Sequence, residues 1–133
     1  MNGAGVGGRR YNCLMPSEQD VRALMLALPE AEEIVVDSWG NQPTFRVRKK
    51  MFAMVGYGAP TACLKATRDD QAALLAQDPE TFLVAPFFGR WGWIDVVLDR
   101  VDPQELAELV EEAWRLTAPK RVVAAYDRDR AAG

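Results

Sequence analysis

Apolar residues recur at Val21, Leu24, Met25 and Leu28, the i, i+3, i+4, i+7 spacing of a helix with one buried face. Ser17 stands before the stripe as an N-cap, Asp20 puts acidic charge in the first turn, and Pro29 ends the helix. The period then shortens. Residues 32–36 predict a first strand, and residues 37–43 form a loop rich in turn formers. In Thr44-Phe45-Arg46-Val47-Arg48 polar and apolar positions alternate, which sends Phe45 and Val47 to a core and Thr44, Arg46 and Arg48 outward. Residues 51–55 return as an apolar strand covered on both faces.

A second turn at residues 56–60 leads to a fourth strand, 61–65, with Ala62 and Leu64 on one face and Cys63 and Lys65 on the other. Thr67 caps the next helix, which carries Asp69 and Asp70 in its first turn and ends near Gln77. Residues 84–93 crowd Phe87, Phe88, Trp91 and Trp93 around Gly89, Arg90 and Gly92, and residues 94–98 follow as a fifth strand. Asp102-Pro103-Gln104-Glu105 opens the last long helix, with Asp102 as N-cap, Pro103 at the first helical position and Glu105 reaching back. Leu106, Leu109, Val110, Ala113, Trp114 and Thr117 line its inner face. A short helix, 120–126, closes the chain.

The element order is thus α-β-β-β-β-α-β-α-α. Short links between consecutive strands predict an α+β fold: an antiparallel five-stranded sheet with helices on one face or at the ends. The 133 residues are enough for one cored domain. We place it at residues 16–127, after a Gly-rich flexible leader (1–15) and before a frayed tail (128–133). No apolar run approaches the roughly 18 residues of a membrane span, and no signal-peptide apolar region is visible. No membrane association and a cytoplasmic location are therefore expected, with a monomer favoured. Cys63 reads as a small buried hydrophobe; a disulfide to Cys13 is the other reading.

The chain has no histidine, which removes Ser-His-Asp and Cys-His catalysis and the commonest transition-metal ligand. Two isolated cysteines do not make a zinc site, and no phosphate-loop motif occurs. The adjacent carboxylates Glu32/Glu33, Asp69/Asp70 and Glu111/Glu112 diverge along their elements. Only an acid pair assembled from distant residues leaves an enzyme reading open. The expectation is a protein without catalytic activity, metal or cofactor.

A formal net charge of −3 is the wrong sign for a surface that grips nucleic acid everywhere, so any such role needs a local patch. Cations gather at Arg46, Arg48, Lys49 and Lys50 and again at Lys120 and Arg121, while acids gather at 99–112. The basic turn has two readings: charge that discourages edge-to-edge aggregation, or a ribbon tip that contacts phosphates. The aromatic segment also has two. Most of its large rings close a core, or Arg90 and Trp91 stand in the open as a stacking or partner surface. A groove lined by Trp39, Tyr57, Trp91 and Lys65 is a third arrangement, suited to a small molecule or peptide.

The VRALMLALPEAEE helix, the WG-x-x-PTFRVR-x-K-x-FA hairpin, the GRWGW segment, the DPQELAELVEEAWRLTAPKR helix and the terminal AAYD together resemble the MmcQ/YjbR family over residues 16–127. The resemblance implies a small α+β "double-wing" DNA-binding fold, similar to secretion-chaperone-like folds. Carried over to this chain, it implies DNA contact through Arg46, Arg48, Lys49, Lys50 and Lys65; with Arg90, Lys120 and Arg121 added from the charge pattern, the expected activity is weak, mainly non-specific binding of double-stranded DNA. The alternative is a protein- or small-ligand-interaction module that uses the 84–93 loop and the exposed sheet face, with Trp39, Tyr57 and Trp91. Lys49 departs from the pattern, because glycine is expected there: lysine must adopt a left-handed turn or lengthen the loop.

Overall fold

A computed structural model describes residues 16–55 and 60–132. The elements are α1 (Glu18–Leu26), β1 (Ala31–Val36), β2 (Gln42–Val47), β3 (Lys50–Val55), β4 (Thr61–Leu64), α2 (Arg68–Gln77), β5 (Phe82–Val84), β6 (Ile94–Val97), α3 (Pro103–Arg115) and α4 (Lys120–Ala132). The strands form one antiparallel sheet in the order β1-β2-β3-β4-β6-β5. It has six strands, not the expected five. The addition is β5, a three-residue edge strand whose Phe82 enters the core. So short a strand is hidden in sequence by the aromatic run that follows it.

Antiparallel pairing puts partnered residues on the same side of the sheet, so two rows describe both faces. Ile94, Leu64, Ala53 and Phe45 stand side by side on β6, β4, β3 and β2. All four are fully buried against α1 and α3. One residue along, Leu83, Asp95, Cys63, Met54, Thr44 and Ile34 cross all six strands on the opposite face. The helices leave that second face uncovered.

The helical layer follows the predicted stripes. Val21, Met25 and Leu28 are buried from α1 and its end, and Leu106, Val110, Ala113, Trp114 and Thr117 from α3 and its end. Ser17 and Asp20 form a reciprocal capping box, Thr67 caps α2, and Asp102 accepts from the Gln104 and Glu105 amides. Glu105 does not reach back; its carboxylate accepts from Gln77 Nε2 at 3.2 Å. The indole of Trp114, fully buried, donates to the Pro29 carbonyl at 3.0 Å and ties α3 to the end of α1.

Three local differences have physical causes. Thr44, expected outside, is fully buried, because its hydroxyl donates to the Ile34 carbonyl and Arg46 Nε lies over it at 3.1 Å. Helix α4 runs to Ala132 rather than ending near Tyr126. Past that point Arg115 holds Asp127, while Arg130 and the Tyr126 hydroxyl both reach Glu111. The aromatic segment buries less than expected: Trp93 is buried and Phe88 half-buried, but Trp91 is 51% and Phe87 87% exposed.

The β2–β3 turn is the tight alternative for Lys49. Val47 pairs with Lys50, so Arg48 and Lys49 alone turn the chain, at φ 51° and 69°. A two-residue hairpin of this hand favours Asn-Gly, because a side chain in the left-handed region costs roughly 1–2 kcal/mol. The register slips by one residue between Phe45 and Arg46, which turns both Phe52 and Ala53 into the core and frees Met51 for the other face. Lys49→Gly removes the strain at one position and adds unfolded-chain entropy. It is expected to raise stability by about 0.5–1 kcal/mol, read as a higher urea midpoint at unchanged m-value.

Candidate functional site

The uncovered face has its own small apolar cluster. Cys63, Ala85 and Trp93 are buried there, with Met51, Met54 and Phe88 packed against them. The cover is the β5–β6 connection, folded back across the strands. Its rings stack in series: Phe88 lies 5.1 Å from Trp93, 6.1 Å from Trp91 and 6.5 Å from Trp39 in the β1–β2 turn.

Helix α2 pins this roof at its base. Gln71 Nε2 donates to the carbonyls of Gly89 (2.9 Å) and Trp93 (2.8 Å), and Arg68 Nε donates to that of Arg90 at 3.1 Å. Gly92 sits at φ +106°, and a Cβ there would meet backbone atoms of Ala66, Thr67 and Arg68 at 2.7–2.8 Å. Only glycine permits so close an approach. The far end of the roof is strained: Phe87 has φ 64°, an outlier for an aromatic residue, and holds its ring in solvent.

Between roof and sheet lies a pocket of about 580 Å³, lined by Trp39, Gln42, Met54, Val55, Thr61, Cys63, Pro86, Phe87, Phe88 and Asp95. The volume and the apolar lining suit a small molecule. Among the described residues its one carboxylic acid is Asp95, beside Cys63 on the neighbouring strand. Among the described residues no lysine or arginine pairs with it. Burial raises the Asp95 carboxyl above the usual carboxylate range, with the Cys63 thiol opposing in part. Burial first, then the neighbouring Asp95 charge, pushes the thiol up in turn, so Cys63 is an inert thiol at neutral pH.

The basic residues are distributed differently. The register puts the β2–β3 turn, the exit of β4 and the entry to β6 at one end of the sheet. Lys49, Lys50, Lys65 and Arg90 therefore share that end, and none is in an ion pair among the described residues. Arg90 stacks on Trp91, 4.2 Å from the ring centroid.

Two of the other cations are engaged by the chain itself. Arg46 lies along the open face, bonded to Thr44 and the Lys49 carbonyl. Arg48 is paired with Glu30, whose carboxyl its guanidinium holds below the usual range. Arg121 lines a groove with that pair, Arg128 and Asp129; Lys120, beside it, is exposed. Lys65 lines a groove of about 310 Å³ with Asp70, Glu105, Glu108 and Glu112. Of the expected groove of Trp39, Tyr57, Trp91 and Lys65, the three described members do not line one pocket. Trp39 lines the aromatic pocket, Trp91 touches it only through Phe88, and Lys65 faces the acidic groove. Tyr57 lies outside the described residues.

The family profile described as YjbR matches residues 26–116. The chain belongs to the YjbR family. Uncharacterized proteins of Mycobacterium bovis and Mycobacterium tuberculosis are each 25% identical to it over 124 residues, 84% of this chain and 96% of theirs. The crystal structure of Deinococcus radiodurans protein DR2400, assigned to domain family DUF419, superposes with a TM-score of 0.68 at 22% identity. The match covers 77% of this chain and 78% of that one. It supports the α+β architecture of this YjbR-family protein and nothing about its activity. No helix among the described residues is long and apolar enough to cross a membrane.

Sequence reading missed Asp95, Met54 and Cys63 as neighbours in one pocket. A lone aspartate inside Ile94-Asp95-Val96-Val97 was the available signal; its partners come from three-strand pairing. The folded state raises the Asp95 pKa, so protonation favours folding, and this contribution is lost as pH rises through the folded value. Asp95→Asn is therefore expected to unfold at higher urea than wild type at pH 7, with the difference closing as pH falls through the Asp95 titration.

Proposed function

We propose that this YjbR-family protein is a binding module whose ligand sits between the aromatic roof and the open sheet face. The observation that carries this reading is the pocket itself: about 580 Å³, apolar, walled by Trp39, Phe87 and Phe88, with one acid on its floor. Phe87 supports it separately. A large ring held in water by a left-handed backbone contributes nothing to the core, and strain of this kind concentrates at binding sites. A neutral solvatochromic dye, Nile red, tests the pocket without invoking charge. Wild type is expected to enhance and blue-shift its emission, and Trp39→Ala with Phe87→Ala to weaken binding about tenfold, the loss of one or two aromatic contacts. Phe87 is almost wholly exposed and Trp39 half-exposed, outside both buried clusters, so these variants should keep the fold. No enhancement with wild type would end this reading.

A second reading, contact with the nucleic-acid backbone, is supported by the four unpaired cations at one end of the sheet. Lys49 and Lys50 project from the ribbon tip, where a phosphate contact needs no sequence readout. The carboxylates around Lys65 and the Glu30–Arg48 pair leave the hairpin tip to carry it. If duplex DNA is bound, log K falls linearly with log salt, and Lys49→Ala/Lys50→Ala is expected to reduce that slope by about 1–2. An unchanged slope would remove the hairpin from the interface.

A further inference from the structure

Resting on the pocket reading, we infer that the ligand is a small organic cation: a protonated amine carried on an apolar, ring-sized body. The first argument is charge. Asp95 is the one ionisable acid in the pocket lining, and it faces no lysine or arginine of this chain among the described residues. A carboxylate half out of water without a counter-charge costs stability, and an apolar residue at the same register would cost none. A ligand ammonium supplies the missing charge; a neutral ligand leaves it unpaired, and an anion is repelled.

The walls favour the same class. Trp39 and Phe88 stand 6.5 Å apart at 51°, a tilted pair rather than a closed stack. Aromatic faces attract cations through the ring quadrupole, tryptophan most strongly. This chain already uses that contact nearby, with Arg90 over Trp91. Met54 and Pro86 offer apolar surface for the ligand's body, and the Thr61 hydroxyl a neutral polar group. No lysine or arginine among the described residues lines the pocket to receive a carboxylate or phosphate.

The test compares 2-phenylethylamine, cationic at pH 7, with the neutral 2-phenylethanol of nearly the same shape, both titrated calorimetrically into wild type and Asp95→Asn. Wild type is expected to bind the amine at least tenfold more tightly than the alcohol. Asp95→Asn is expected to bind both alike while still binding Nile red, which separates lost charge from a lost pocket. An amine that binds no better than the alcohol, or a preference that survives in Asp95→Asn, overturns the inference. If Nile red still binds in that case, the pocket reading stands without it. If none of the three probes binds wild type, both readings fall together.

Discussion

The central strands bury side chains on both faces, yet the helices cover only one. This imbalance organises the molecule. The Phe45–Ala53–Leu64–Ile94 row is closed by α1 and α3, as for any sheet that must hide an apolar face. Cys63, Met54 and Met51 point the other way and need a second cover. The chain supplies it with a loop. A loop has no repeating face of its own, so it must be pinned through backbone groups, which is what Gln71, Arg68 and the Gly92 contact accomplish.

A cover pinned by α2 on one side leaves room beneath it on the other. Near α2 the roof packs tightly, through Trp93 and Phe88 on Cys63 and Met54. Towards the β1–β2 turn it reaches Trp39 only by its edge, and the space below remains open. The pocket is thus a consequence of covering a broad face with a short segment. Asp95 lies on the floor of that space, where an apolar side chain would be the more stable choice. Residues that lower stability at a site with access to solvent are where function is sought first.

Charge follows a different logic. Half of the described arginines are held in ion pairs: Arg22 with Glu33, Arg48 with Glu30, Arg100 with Glu80, Arg115 with Asp127 and Arg130 with Glu111. Pairs this exposed contribute little energy but fix where side chains lie. Of the cations outside these pairs, Lys49, Lys50, Lys65 and Arg90 sit at the strand end that holds the hairpin tip, so an acidic protein still presents a local basic rim.

Much of this fold was legible along the chain. The stripes of α1 and α3, the caps at Ser17, Thr67 and Asp102, and the alternation that buries Phe45 and Val47 are local, set by periods of 3.6 and 2 residues. The conflict at Lys49 came from the family resemblance rather than from any period, and the two-residue turn resolves it by strain. What no local pattern contained was which residues meet across strands and which loop covers which face. Asp95 became a neighbour of Cys63 through the β4–β6 register, and Phe88 a neighbour of Trp39 through a loop that crosses the sheet. Lys65 acquired its acidic surroundings from α2 and α3. Periodicity determines which side of its own element a residue occupies. Contacts between residues far apart in sequence depend on packing every element at once, and that is why the pocket belongs to the tertiary structure alone.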